Sequence, residues 1–115
     1  TLSSSSAASD VYKRQVMISE VADADLEEIV DYIAVNLQEP VTALNQMGRI
    51  KDAMMSLRTM PERHGVVSDK YLAFKGIRLL PIDNYLVFYT VNKAAEMVGI
   101  VRMLYGRREW ETLLK

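Results

Sequence analysis

Apolar residues in the N-terminal half recur at the spacing of amphipathic helices. The first stripe consists of Leu26, Ile29, Val30, Ile33 and Leu37, and the second of Leu44, Met47, Ile50, Met54 and Leu57. Each set falls along one face of an α-helix, which predicts two helices with a common buried side. Ser19 suits the N-cap of the first helix, Pro40 the first turn of the second, and Pro61 its end. The short connection predicts an antiparallel helical hairpin, and a close approach of the two helices would explain Gly48 within the second.

After Pro61 the apolar period changes from about 3.6 residues to about 2. The predicted strands are 77–80, 85–91 and 98–105, each rich in β-branched and aromatic residues. Asp83-Asn84 predicts a tight turn between the first two strands, and residues 92–96 a looser one before the third. Residues 107–115 are expected to form a short amphipathic helix. The order (β)ααβββ(α) predicts an α+β class, with an antiparallel sheet packed against the helical hairpin.

Residues 1–15 differ in character from the remainder. This stretch, TLSSSSAASDVYKRQ, has no apolar periodicity and no apolar run long enough for a secretory signal peptide. We interpret it as a translated vector or adapter seam that joins the natural chain at about Val16. The alternative is a natural flexible tail that runs into a strand, because residues 12–19 partly alternate. Residues 16–115 are therefore expected to form a single domain.

The composition narrows the function classes. The chain has 115 residues, of which 50% are hydrophobic and 25% are charged, as in one ordinary globular domain. No apolar run approaches the roughly 18 to 20 residues that span a bilayer, which excludes a transmembrane helix. Cysteine is absent, which excludes a disulfide framework and a cysteine nucleophile and fits a reducing cytoplasm. With one histidine as well, we expect neither a metal site nor a cofactor.

The net charge of −1 conceals an asymmetry along the chain. Residues 16–48 contain seven acidic residues and no Lys or Arg, whereas residues 49–115 contain twelve basic and seven acidic residues. Such a separation is typical of a protein that binds a polyanionic or acidic partner through its basic half. A solvated acidic helix beside a mildly basic sheet would give the same count, so both interpretations stay open.

Several short motifs occur in a characteristic order. They are IS at 18–19, ADADLEEIVDYI at 22–33, MPER at 60–63, GIR at 76–78, YLVFY at 85–89 and VRMLYGRREW at 101–110. Together they resemble the RelE/ParE family of bacterial toxins, which includes plasmid stabilisation proteins. The resemblance covers about residues 16–114. It implies a β-α-α-β-β-β fold and the toxin half of a type II toxin–antitoxin pair, with a cognate antitoxin as partner.

The family implies two mechanisms. One branch cleaves mRNA in the ribosomal A site, which requires a base, an acid and cations over the phosphate; the ParE branch poisons DNA gyrase. The nuclease pattern has Arg after the tyrosine that opens the third strand, whereas Leu86 follows Tyr85 here. Its C-terminal tyrosine aligns near Leu114, and its paired sheet lysines have no match around residues 78–80. Another nuclease branch ends its last strand with a histidine and an aromatic residue, whereas here Tyr105 ends the strand without a histidine. The chain therefore resembles the ParE branch more closely, with a ribosome-dependent endoribonuclease and an inactive binding or regulatory member as alternatives.

The candidate site residues are mostly cationic. The predicted binding set for target or antitoxin is Arg78, Arg102, Arg107, Arg108 and Trp110. In a nuclease the catalytic candidates would be Arg78, Tyr105, Arg107 and Arg108. The arginines are expected to gather on one side of the sheet and to contact phosphates or the acidic tail of an antitoxin. Alternatively, Tyr105 is a packing residue, and one of the adjacent arginines merely bonds carboxylates such as Glu109 or Asp83. His64 is expected to be a solvated loop residue.

Overall fold

A computed structural model describes residues 15–67 and 69–106. The elements are strand β1 (Gln15–Ile18), helix α1 (Glu20–Asp31), a π-helical turn (Tyr32–Asn36), helix α2 (Pro40–Met55), two 3₁₀ turns (Ser56–Arg58 and Pro61–Arg63), helix α3 (Lys70–Phe74), and strands β2 (Arg78–Ile82), β3 (Tyr85–Asn92) and β4 (Met97–Tyr105). The first strand, the helical hairpin and the last three strands follow one another in the predicted order, with the short helix α3 added between α2 and β2. Within these ranges no helix has both the length and the apolar character needed to cross a membrane.

The four strands form one sheet in the order β1-β4-β3-β2. Strands β2, β3 and β4 make the predicted antiparallel meander, joined by the tight turn at Asp83 and the looser turn after Asn92. Strand β1 lies parallel to β4, with Val16 opposite Val98, so the sheet is mixed and not wholly antiparallel as expected. The helical hairpin carries the chain from β1 across the sheet towards β2, and the meander then returns it to β4 beside β1.

The helical hairpin covers one face of the sheet. Ser19 caps α1 as predicted, since its Oγ accepts a hydrogen bond of 3.0 Å from the backbone N of Ala22. Most of the two predicted stripes points inward, but Leu37 and Leu44 are 51% and 61% exposed. The π-helical turn changes the helical phase before Leu37, and Ala43 takes the inward position in α2 in place of Leu44.

The main core lies between the hairpin and the sheet, and a smaller core lies on the opposite face. The smaller one consists of Val67, Leu72, Ile77, Phe88 and Leu104. Helix α3, which covers it, was not predicted from the sequence. It is only five residues long, and its N-terminus depends on a side-chain cap in which Asp69 Oδ1 accepts from Leu72 N at 3.1 Å.

Gly48 was expected at a close approach of the two helices, and this expectation was wrong. A Cβ atom added to Gly48 would meet nothing within 4 Å. The position is an exposed helical one that makes no steric demand for glycine.

Candidate binding groove

The edge of β4 changes its hydrogen-bonding partner where β1 ends. Ser19 N donates to Ile100 O at 3.1 Å, and Ser19 Oγ donates to Val101 O at 3.1 Å. In the register with β3, Phe88 faces Arg102 and Tyr89 faces Ile100, so Val101 is an extra residue in a β-bulge. The bulge shifts the register by one residue, and residues 102–105 continue the pairing opposite residues 85–88.

Asp25 of α1 and Arg102 of β4 form a bidentate ion pair at this bulge. Asp25 Oδ2 accepts from Arg102 Nε at 2.7 Å and from the backbone N of Met103 at 3.0 Å, and Asp25 Oδ1 accepts from Arg102 Nη2 at 3.0 Å. The hydrogen bond to Asp25 raises the pKa of Arg102 above its ordinary value, against the lowering effect of burial. Because Asp25 is only 9% exposed, the pair attaches the helix to the sheet and is not a surface contact.

A groove of about 600 Å³ opens beside this ion pair, between α1 and the adjoining ends of β3 and β4. Its helical wall consists of Asp25, Glu28, Ile29, Tyr32 and Leu37. Its sheet wall consists of Asn84, Tyr85 and residues 103–105. The first four helical positions are spaced i, i+3, i+4 and i+7, which places them on one face of the helix. The π-helical turn then brings Leu37 to the same wall, because Leu37 N donates to Tyr32 O at 3.1 Å.

Tyrosines give the groove its aromatic character. The rings of Tyr85 and Tyr105 meet edge to face, with their centroids 5.8 Å apart at an interplanar angle of 66°. Burial raises the pKa of the Tyr85 hydroxyl above its ordinary value of 10.0, and the nearby Tyr105, Tyr32 and Asp83 raise it further. The Tyr85 hydroxyl is therefore protonated at neutral pH. The groove wall thus offers a neutral hydroxyl group beside aromatic ring surface.

A second ion pair, between Arg49 and Asp83, holds the β2–β3 turn beside the groove. Asp83 accepts hydrogen bonds from Arg49 Nε at 2.8 Å, Arg49 Nη2 at 2.7 Å and Gln46 Nε2 at 3.0 Å. The bonds from Arg49 and then Gln46 lower the pKa of Asp83 from 3.8 to about 2. These contacts connect α2 to the β2–β3 turn, so that Asn84 is held at the groove.

Arg78 lies away from the groove and is engaged with the backbone. Its Nη1 donates to the carbonyl oxygen of His64 at 2.6 Å and to that of Glu62 at 3.2 Å. The hydroxyl of Tyr89, opposite Arg78 in the sheet, donates to the carbonyl oxygen of Pro61 at 2.5 Å. Both side chains thereby hold the segment that follows the left-handed residue Met60.

The structure brings the predicted site residues together only in part. Arg78 and Arg102 are separated by β3, and Tyr105 lines the groove. The predicted residues Arg107, Arg108 and Trp110, and the whole predicted C-terminal helix, lie outside the described residues. Across the described ranges no group of three or more His, Asp or Glu side chains is arranged to hold a metal ion.

The groove residues Glu28, Tyr32 and Tyr85 were not among the predicted site residues. The sequence does hold a signal for the helical wall, since Asp25, Glu28 and Tyr32 recur at helical spacing among the acidic residues of α1. Helical spacing alone does not distinguish a solvated acidic face from a groove wall, because the opposite wall comes from β3 and β4, far away in the sequence.

Comparisons with known proteins agree on the fold. A sequence profile described as the ParE toxin of the type II toxin–antitoxin system parDE matches residues 16–110. A solved structure of the chromosomal ParDE toxin–antitoxin system from P. aeruginosa is 20% identical, with a TM-score of 0.67, and the match covers 82% of this chain and 97% of that one. The toxin–antitoxin complex RelBE2 from Mycobacterium tuberculosis is 16% identical, with a TM-score of 0.58 and coverage of 81% and 98%. No curated protein matches the sequence significantly.

Proposed function

The chain belongs to the ParE toxin family of type II toxin–antitoxin systems, and from that membership we propose that it inhibits growth by binding and poisoning DNA gyrase. The observation that carries the proposal is the ParE profile match across residues 16–110 in a chain whose nuclease positions are replaced. In this proposal the protein acts through binding, and a cognate antitoxin neutralises it.

The chemistry of the described residues supports binding over RNA cleavage. The catalytic candidate Tyr105 is in edge-to-face ring contact with Tyr85, with centroids 5.8 Å apart, which favours its alternative role as a packing residue. Arg78 donates to two backbone carbonyls, and Arg102 is paired with Asp25. These bonds hold Arg78 Nη1 and Arg102 Nε and Nη2 within the fold, so a phosphate could engage only the remaining N–H groups without breaking them.

The target is tested by expressing the chain in a sensitive bacterial strain that carries a DNA-damage reporter, with primer extension on translated mRNA in parallel. We expect reporter induction without new mRNA ends. Purified chain should also cause gyrase to accumulate cleaved DNA from a supercoiled plasmid. Ribosome-dependent mRNA cuts without a DNA-damage response would overturn the gyrase proposal in favour of an endoribonuclease.

A pair of charge-matched variants tests the predicted binding arginines. Replacing Arg107 and Arg108 together with Ala should abolish reporter induction. Replacing the exposed Lys51 and Lys70 with Ala removes the same charge elsewhere and should leave induction unchanged. Equal effects of the two double variants would attribute the loss to net charge.

The antitoxin is tested separately from the target. A short reading frame adjacent to this one should encode a protein that restores growth when it is co-expressed and that co-purifies with the chain. Both neighbouring structures are of toxin–antitoxin systems, which supports the proposal. Failure of every adjacent product to bind the chain would argue against it, whatever the target.

A further inference from the structure

We propose that the groove between α1 and the ends of β3 and β4 is a docking site for an arginine-bearing, otherwise apolar segment of a partner polypeptide. In this proposal Glu28 is the charge partner of the arginine, and the tyrosines form the walls around its guanidinium. The proposal goes beyond the gyrase assignment, because it concerns only what this groove accepts.

The described walls of the groove carry negative charge, from Asp25 and Glu28. Asp25 is fully engaged, since its two oxygens accept three hydrogen bonds from Arg102 and Met103 N. Glu28 lies one helical turn further along the same wall and is exposed. Asp25 and Arg102 cancel, so these three side chains leave the groove with the single negative charge of Glu28.

The surrounding wall does not neutralise that charge. The hairpin sequence contains no Lys or Arg between residues 16 and 48. Among the described residues that line the groove there is likewise no Lys or Arg, and Glu28 is one of them. A segment with acidic side chains would be repelled here, and a cationic one attracted.

The aromatic walls select the type of cation. Tyr32, Tyr85 and Tyr105 all line the groove, and Tyr85 and Tyr105 are in direct ring contact. Tyrosine faces attract guanidinium groups, and a planar guanidinium stacks on a ring while it bonds a carboxylate in the same plane. The flanking Ile29 and Leu37 offer apolar contact to the neighbours of that arginine. A volume of about 600 Å³ accommodates one such side chain with its neighbours.

The groove differs in charge from the arginines at which an acidic antitoxin tail is expected. Its described lining contains Asp25 and Glu28 and no Lys or Arg, so it suits an arginine-bearing stretch of a partner and not an acidic one.

The direct test uses the full-length chain, labelled with ¹⁵N, and two synthetic peptides. The first is acetyl-Ala-Leu-Arg-Leu-Ala-amide, and the second is identical except that citrulline replaces arginine, which keeps the shape and removes the charge. We expect saturable shifts of amide signals around Glu28, Tyr85 and Tyr105 with the arginine peptide, and at least about fivefold weaker binding of the citrulline peptide. Equal affinities, or no saturable shift at millimolar peptide, would overturn the proposal.

Two neighbouring glutamates provide a matched control. Glu28→Gln should weaken the arginine peptide about three- to tenfold and leave the citrulline peptide unchanged. Glu27→Gln removes the same charge from the adjacent exposed position, which does not line the groove, and should leave both affinities unchanged. Equal losses in the two variants would reduce the effect to net charge and refute the assignment of Glu28.

The chain itself carries two arginines after Gly106. Their binding to the groove must be distinguished from the binding of an arginine of a partner. In the full chain with Arg107→Gln and Arg108→Gln together, the affinity for the arginine peptide should stay within about twofold of the original. A tenfold gain would mean that the chain's own arginines compete for the groove, and it would overturn the proposal of a site for a partner.

Discussion

Replacing Asp25 with Ala should be among the most destabilising single changes in α1 or β4. The change removes three hydrogen bonds, leaves the backbone N–H of Met103 without its acceptor, and leaves Arg102 without its carboxylate. Breaking a fully buried ion pair by removing one partner costs about 3–5 kcal/mol. The Arg102 side chain is 23% exposed and regains some hydration, so we expect a loss of about 2–4 kcal/mol in the free energy of unfolding.

Urea denaturation followed by circular dichroism measures this loss. For a domain of this size, 1 kcal/mol corresponds to a change in Tm of about 4 °C, so the expected fall is roughly 8–16 °C. Asp23→Ala is the matched control. It removes the same charge from the first turn of the same helix, where Asp23 is exposed, and only a favourable dipole contact of about 0.3–1 kcal/mol is at stake.

A double-mutant cycle separates the ion pair from the capping of Met103 N. Arg102→Met keeps the aliphatic contacts of the side chain and leaves Asp25 free to accept from Met103. The coupling between Asp25→Ala and Arg102→Met should exceed about 1 kcal/mol in favour of the native pair. If Asp25→Ala costs no more than Asp23→Ala, or if the coupling is zero, the pair does not attach α1 to β4.

Three further changes test other contacts. Arg49→Gln should return the pKa of Asp83 from about 2 towards 3.8, measured by carboxyl ¹³C NMR; because the native pKa is depressed, the stabilising contact persists above pH 4 and is lost as the pH falls towards 2. An unchanged pKa would assign the shift elsewhere. Gly48→Ala should raise the free energy of unfolding by about 0.5–1 kcal/mol, since a Cβ there meets nothing within 4 Å; a loss would reveal a packing role. Tyr89→Phe removes the hydroxyl that donates to Pro61 O and should cost about 1–2 kcal/mol in denaturation, with faster hydrogen exchange in residues 62–66; unchanged exchange would show that this bond does not order the segment.

The fold could be predicted from the sequence because its local signals agree with one another. The Ser19 cap, the helical stripes around Leu26 and Ile50, and the turn at Asp83 each match the structure. Each depends on neighbours within a few residues, which a sequence displays directly. Where the pattern failed, at Leu37, the cause was the π-helical turn, which alters the period by which the stripe was counted.

The groove could not be predicted in the same way because it depends on contacts between distant residues. Asp25 and Arg102 are 77 positions apart, and nothing near either residue indicates the other. The family resemblance directed attention to arginines of the sheet, whereas the open wall of the structure is made by Glu28 and tyrosines of α1, β3 and β4. The distribution of charged residues along the chain does indicate that the hairpin is acidic, but it could not show which acidic residue stays accessible.

The ion pair also limits the role predicted for Arg102. A phosphate or an acidic side chain that bound Arg102 through Nε and Nη2 would have to replace Asp25, which accepts from these two nitrogens at 2.7 and 3.0 Å and also from Met103 N. Displaced Asp25 would remain in the wall beside Glu28, so that two carboxylates would then face the incoming anion. These carboxylates would repel the incoming anion, and the contact between α1 and β4 would be lost at the same time. Arg102 therefore serves better as the residue that shapes the groove than as one that contacts a polyanion. Arg102→Met should lower the free energy of unfolding more than it lowers the toxicity of each folded molecule.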